Sequence, residues 1–171
     1  MTEFASISQE EFVADIRLLA ASIEGAAWQP DFLVGIGRGG LVPGVYLSHA
    51  TGVGLLSVDY SAQVFGFSDE LLHKLAAKTA AGKRLLLVDD INDSGTTIAY
   101  VRTAIAAAGG VADELRVAVV IDNIRSSASA DYRARTIDRA VDKRWFIFPW
   151  ESMAPRVTLE RDAQIVPERL A

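Results

Sequence analysis

Cysteine is absent from the 171-residue chain, which removes disulfides, thiolate metal sites and cysteine nucleophiles together. Imidazole is scarce as well: His49 and His73 are the two histidines, and they stand far apart. No uninterrupted apolar stretch approaches the roughly 20 residues that cross a bilayer. The opening Met-Thr-Glu-Phe-Ala-Ser has no basic run leading into an apolar one, so a cytoplasmic protein without a membrane anchor is expected. Basic charge is in deficit, with a net charge of -5 and a pI near 5.0. Such a surface repels nucleic acid, and any anion site has to be built locally. What is plentiful is apolar surface: 50% of the residues are hydrophobic. That suffices for one core, and the length is too short for two full domains, so a single domain over 1–171 is expected.

Ser8 followed by Glu11 has the spacing of a capping box, and Phe12, Ile16, Leu19 and Ile23 recur at helical intervals before Gly25. Past Trp28, a core or anchor residue, and Pro30, the apolar run 32–36 closes on glycine and reads as a strand. Residues 41–50 carry Pro43 where a helix's first turn would accept it. The rhythm continues with strands at 55–58, 84–88 and 115–121. Helices fall at 71–78 and along Ile98, Val101 and Ile105, ending at Gly109-Gly110. Strands alternating with helices predict an α/β fold, a parallel sheet covered on both faces. Residues 122–144 break the rhythm. They hold Arg125, Arg133, Arg135, Arg139, Lys143 and Arg144, expected as a cover over one sheet edge, most of it a solvated face from which an anionic substrate could recruit one or two arginines. The core is expected at about 26–121 and a small hood at about 122–151. The tail beyond Glu151 is too mixed to assign.

Ligands of open parallel sheets bind beyond the carboxyl ends of the strands. That brings Gly35 to Gly40, Asp59-Tyr60 and Asp89 to Thr97 to one rim. Within the last, Asp93-Ser94-Gly95-Thr96-Thr97 lies between a buried strand and a helix. Free amides, small side chains, two threonine hydroxyls and the positive helix end suit a phosphate. Asp89 and Asp90 stand just before it. Carboxylates beside a phosphate repel it unless they bind hydroxyls or a metal, so the pairing points to a phosphorylated sugar. A helix cap with solvated acids is the plainer reading for Asp93 or Ser94 taken singly. The apolar strand, the two acids and the loop together outweigh it.

Residues 85–97, Leu-Leu-Leu-Val-Asp-Asp-Ile-Asn-Asp-Ser-Gly-Thr-Thr, resemble the diphosphate-donor signature of the type I phosphoribosyltransferases. The resemblance implies their fold, a central parallel sheet flanked by helices with a small hood. It also implies ribose hydroxyls and magnesium at Asp89 and Asp90, partly through water, the 5-phosphate at residues 93–97, and Asp93 as general base toward the incoming base. Gly37-Arg38-Gly39-Gly40-Leu41-Val42-Pro43 resembles the pyrophosphate loop of the xanthine, guanine and hypoxanthine members, with Arg38 and the amides around Gly39 holding the leaving group. Trp145-Phe146-Ile147-Phe148-Pro149-Trp150-Glu151 is similar to the segment whose tryptophan stacks on the purine. The resemblance covers roughly 32–151 and implies phosphoribosyl diphosphate, pyrophosphate and a nitrogenous base as partners, with a homodimer as the expected assembly. Residues 61–83 would be the flexible catalytic loop by position.

The chain departs from those members where they carry a purine-reading lysine, after the strand 115–121. Here Asp122-Asn123 follows. An asparagine amide can donate to an oxygen, whereas aspartate can only accept. Asp122 and Asn123 are therefore the expected polar edge of the base site beside Trp145 and Phe146, with a weaker preference for a 6-oxo group. Two rivals stand beside this reading. Gly35-Ile-Gly37-Arg-Gly39-Gly40 also satisfies a dinucleotide fingerprint with Asp59 as ribose acid, but leaves 89–97 unexplained and provides no substrate domain. A non-catalytic regulator could keep the fold to sense the donor.

Overall fold

The computed structural model describes residues 3–59 and 67–164, with side chains from residue 69 onward in the second of these segments. The capping box forms: Glu11 N donates to Ser8 Oγ at 3.2 Å and Ser8 N to Glu11 Oε2 at 2.8 Å. It starts helix α1 at Gln9–Glu24, whose Phe12, Ile16, Leu19 and Ile23 are all buried. Strands follow as β2 (Phe32–Ile36), β3 (Gly54–Val58), β4 (Leu85–Asn92), β5 (Leu115–Asn123) and β6 (Tyr132–Ile137). All pair in parallel, in the order β3-β2-β4-β5-β6.

Strand periodicity divides the core in two. Leu33, Leu86, Val88, Ala118 and Val120 face α1 and α2 (Gly37–Thr51). The alternate residues Val34, Leu85, Leu87, Val117 and Val119 face α3 (Phe67–Ala80) and α4 (Thr96–Ala107). Leu85 to Val88 and Val117 to Ile121 are wholly buried, which is why these stretches read as continuous apolar runs. Among the described residues no helix is long and apolar enough to cross a membrane.

Several expectations need correction. Helix α2 begins at Gly37 directly after β2, so the expected loop 37–40 is its first turn and Pro43 lies inside the helix. Strand β4 runs on to Asn92, carrying Asp89 and Asp90 within it. Residues 122–144 hold a fifth parallel strand. Its arginines disguised it, because on this edge strand they are matched to buried acids: Arg133 to Asp122 at 3.1 Å and Arg135 to Asp15 of α1 at 2.8 Å. Most of 61–83 is the packed helix α3, with Leu72, Leu75 and Ala76 buried; residues 60–66 lie outside the described residues. A second, smaller sheet stands apart from the main one. It pairs β1 (Phe4–Ser6) in parallel with β7 (Trp145–Ile147), and the unassigned tail holds α5 (Arg156–Ala163), anchored by Leu159 and Ala163.

The contact of α2 with the sheet is unusually close. A Cβ at Gly40 would collide with the Val88 carbonyl oxygen, and one at Gly35 would lie 2.9 Å from Leu41 Cα. Gly40→Ala therefore has to push α2 off β4. It is expected to destabilise the protein by roughly 1–3 kcal/mol, read as a lower urea midpoint. An unchanged midpoint would mean that this contact is not tight in solution.

Candidate active site

The sheet order reverses at β2: the chain leaves it toward β3 on one side and returns to β4 on the other. Such a switch point opens a crevice at the carboxyl ends of the strands. Here the crevice is a cleft of about 870 Å³. Its walls come from the start of α2, from the run Asp89 to Ile98, and from residues between Arg139 and Asp162. Of the residues expected from sequence, Arg38, Gly39, Asp89, Asp90, Asp93, Ser94, Gly95, Thr96, Thr97, Trp145 and Phe146 all line it.

Two helices begin at the cleft. Helix α4 starts after Gly95, whose φ of +89° is a left-handed value, with no side-chain cap and no acid in its first turn. Helix α2 likewise starts after Ile36 uncapped and without a first-turn acid, with the left-handed Gly37 as its first residue. Uncapped helix starts present amides and a positive dipole end, so each is a potential anion seat. The loop ahead of α4 is pinned from behind. Ser127 donates to the Ser94 carbonyl through N at 3.1 Å and Oγ at 2.7 Å. Asn123 Nδ2 donates to the Asp93 carbonyl at 2.9 Å. A Cβ on Gly95 would strike the Ala128 amide at 2.5 Å, so the loop cannot relax outward.

Between these helix starts stand the acids. Burial drives the Asp89 carboxyl well above its ordinary range, helped by the charge of Asp90 beside it. Burial likewise pushes Asp90 up to about 6. Glu151 is pushed up to about 7, first by burial and then by Asp90 and Asp162, against the lowering effects of the Phe148 amide and Arg38. A cleft holding this much unmatched acid is suited to a cation or to hydroxyl donors. Among the described residues no three acids or imidazoles converge as a ready metal cage. A divalent ion would have to complete its shell with ligand oxygens and water.

Asp93 is tied to Arg139. The guanidinium donates from Nε to Oδ1 and from Nη2 to Oδ2, both at 2.8 Å, and the arginine side chain is 2% exposed. Asp122 and Asn123 are not in the cleft lining, contrary to expectation. Asp122 accepts from Asn92 Nδ2 at 2.8 Å and pairs with Arg133. Asn123 accepts from the amides of Arg125 and Arg139 and donates to Asp93. Their polar atoms hold the loops together because β5 extends through both residues, which keeps them below the rim.

Arg139, Glu151 and Asp162 line the cleft without having been singled out. Arg139 is hidden in a run of basic residues that looks solvated, and burial alone distinguishes it. Glu151 had a signal, as the acid that ends an aromatic segment. His49 and His73 are exposed on α2 and α3.

A family model, the phosphoribosyl transferase domain, matches residues 5–153. The chain belongs to the phosphoribosyltransferase family. A xanthine-guanine phosphoribosyltransferase of Gluconobacter oxydans is 24% identical over 153 residues, 87% of this chain and 85% of its own. Among solved structures, a protein from Neisseria gonorrhoeae with bound ppGpp superposes with a TM-score of 0.68 at 21% identity, covering 96% of this chain and 98% of its own. A purine phosphoribosyltransferase from Pyrococcus horikoshii gives 0.63 at 24%, covering 86% and 93%. The α/β architecture is that of the type I phosphoribosyltransferase fold. In this phosphoribosyltransferase the glycines at 35–40 that also fit a dinucleotide fingerprint serve close packing, at Gly35 and Gly40, and an approach to Asp90, at Gly39.

The raised Glu151 sets the sign of a pH effect. A carboxyl whose folded value exceeds the usual 4.5 binds more protons folded than unfolded, so stability falls as pH rises from about 4.5 to about 7. Glu151→Gln should remove that loss in the unliganded protein. Allowing for its partial solvation, the gain at pH 8 is on the order of 1–2 kcal/mol, with little change at pH 4.5. Thermal denaturation at both values checks it, and an equal effect at the two would contradict the assignment.

Proposed function

We propose that this chain transfers a 5-phosphoribosyl group from phosphoribosyl diphosphate to a purine base, releasing pyrophosphate. The observation that carries the reading is a buried acid pair, Asp89 and Asp90, set between two uncapped helix starts in one cleft. Two anion seats with hydroxyl-seeking acids between them match a donor that is phosphate, ribose and diphosphate in sequence. Ser94 to Thr97 take the 5-phosphate, Arg38 and the amides around Gly39 the diphosphate, and Asp89 and Asp90 the ribose hydroxyls. Trp145 and Phe146 give the base an apolar wall on which to stack. The purine acceptor is supported by what the Gluconobacter and Pyrococcus relatives are named for.

In the reaction the C1–O bond to the diphosphate breaks, and a ring nitrogen of the base supplies the electron pair of the new C1–N bond. The nitrogen's proton goes to Asp93, on a lone pair that the guanidinium leaves uncovered. Asp89 and Asp90 fit magnesium, since their adjacent carboxyls are buried together and a divalent ion there would complete its shell with donor oxygens and water. Bound through the donor, magnesium would offset the charge that collects on the departing pyrophosphate. A homodimer is the expected assembly.

A second reading, donor sensing without turnover, draws on one observation: both Asp93 oxygens are engaged by Arg139. Pyrophosphate release by the purified protein with donor, magnesium and purines separates the two. Calorimetry is expected to show donor binding that chelator abolishes, and Thr97→Val should weaken it on the order of tenfold through one lost hydrogen bond. Donor binding that ignores metal, or no release with any purine, would overturn the metal-linked transfer.

A further inference from the structure

The family's purine-reading lysine has no counterpart after β5, yet a buried cation does reach the base end of the cleft. Arg139 enters from the turn between β6 and β7, is 2% exposed, and lines the cleft. Its guanidinium carbon lies 5.3 Å from the centroid of the Phe146 ring. Arg38, the other cation on the wall, stands on α2, at the diphosphate end.

A guanidinium carries five N–H donors in a rigid plane. In Arg139 Nε and one N–H of Nη2 go to Asp93, and Nη1 donates to the carbonyls of Asp142 at 3.1 Å and Arg144 at 2.7 Å. One N–H on Nη2 remains. The arginine's own amide is held by Asn123 Oδ1 at 3.2 Å. Its charge is matched by Asp93 and its plane is fixed on three sides, so the remaining N–H is a directional donor that cannot turn away from a misfit. An acceptor atom opposite it gains a charge-assisted hydrogen bond. An amino group there would set donor against donor and leave both buried without a partner, which sites of this kind reject strongly.

We propose that Arg139 is the specificity-determining residue for the acceptor, its remaining Nη2 N–H donating to a ring carbonyl oxygen. Oxopurines are then used in preference to aminopurines, by a residue from a different loop than the one where the lysine was sought. Asp93 acts on this selection as a positioning residue by orienting the guanidinium. The proposal rests on the phosphoribosyl-transfer reading.

The test is the ratio of kcat/KM for hypoxanthine and adenine, each with saturating phosphoribosyl diphosphate and magnesium, beside calorimetric binding of the donor. The wild type should favour hypoxanthine. Arg139→Ala should lower that ratio on the order of 10- to 100-fold; because both bases use the same donor, any change in donor affinity that follows from freeing Asp93 cancels in the ratio. If Arg139→Ala does not yield folded protein, Arg139→Lys is read instead. It keeps the charge beside Asp93, but its single Nζ cannot serve Asp93, two carbonyls and the base together, so the ratio should fall there too. A wild type that prefers adenine, or variants in which both bases lose equally, would overturn the proposal while leaving phosphoribosyl transfer standing. No turnover of either base and no donor binding by the wild type would sink the underlying reading instead.

Discussion

The cleft depends on one contact, the first turn of α2 against the end of β4. Gly40 lies under the Val88 carbonyl and Gly39 against the Asp90 carboxyl, each with no room for a Cβ. Because the helix can come this close, the amides at its start and the acids of β4 share one small space. Moving α2 outward by the thickness of a methyl group would separate its uncapped start from the acid pair. It would also admit water to Asp89, which is 9% exposed, and remove the burial that raises its carboxyl. Packing and chemistry are thus set by the same two glycines.

The acids carry the opposite demand. Buried carboxyls that are not fully matched by a cation weaken the unliganded fold, and burial raises Asp90 and Glu151 accordingly. Their cluster is tolerated because β4 lies between the wholly buried parts of β2 and β5, where the apolar core holds the strand in register. A ligand that brings hydroxyls, and a cation with it, relieves what the core has imposed. Binding strength at such a site comes partly from relief of that repulsion, not only from new contacts.

Sequence periodicity made most of the sheet legible, since β2, β4 and β5 are apolar runs with glycine or acids at their ends. The turn into α4 was legible for the same reason, as glycine, small residues and hydroxyls stand out at a strand-to-helix junction. What escaped were features whose residues look solvated in one dimension. Strand β6 hides behind Arg133 and Arg135, whose partners Asp122 and Asp15 are remote in sequence. Asp122 and Asn123 looked exposed after an apolar run, but one more turn of pairing with β4 and β6 buries them. Strand β1, Phe4–Ser6, is too short for any periodicity to register.

Arg139 shows why such misses gather at the site. It joins three pieces of chain that are separate in sequence: the loop before α4 through Asp93, the end of β5 through Asn123, and the turn before β7 through the carbonyls of Asp142 and Arg144. No one of these segments needs an arginine for its own structure. The requirement exists only once they meet, because Asp93 is 13% exposed and needs a partner, while the turn has carbonyls to satisfy. One planar side chain with five donors meets both needs, and it stands beside Phe146 as it does so. The loop before α4 and the aromatic wall of the cleft are therefore held by the same group. A shift in either is felt by the other through a rigid plane rather than through flexible chain.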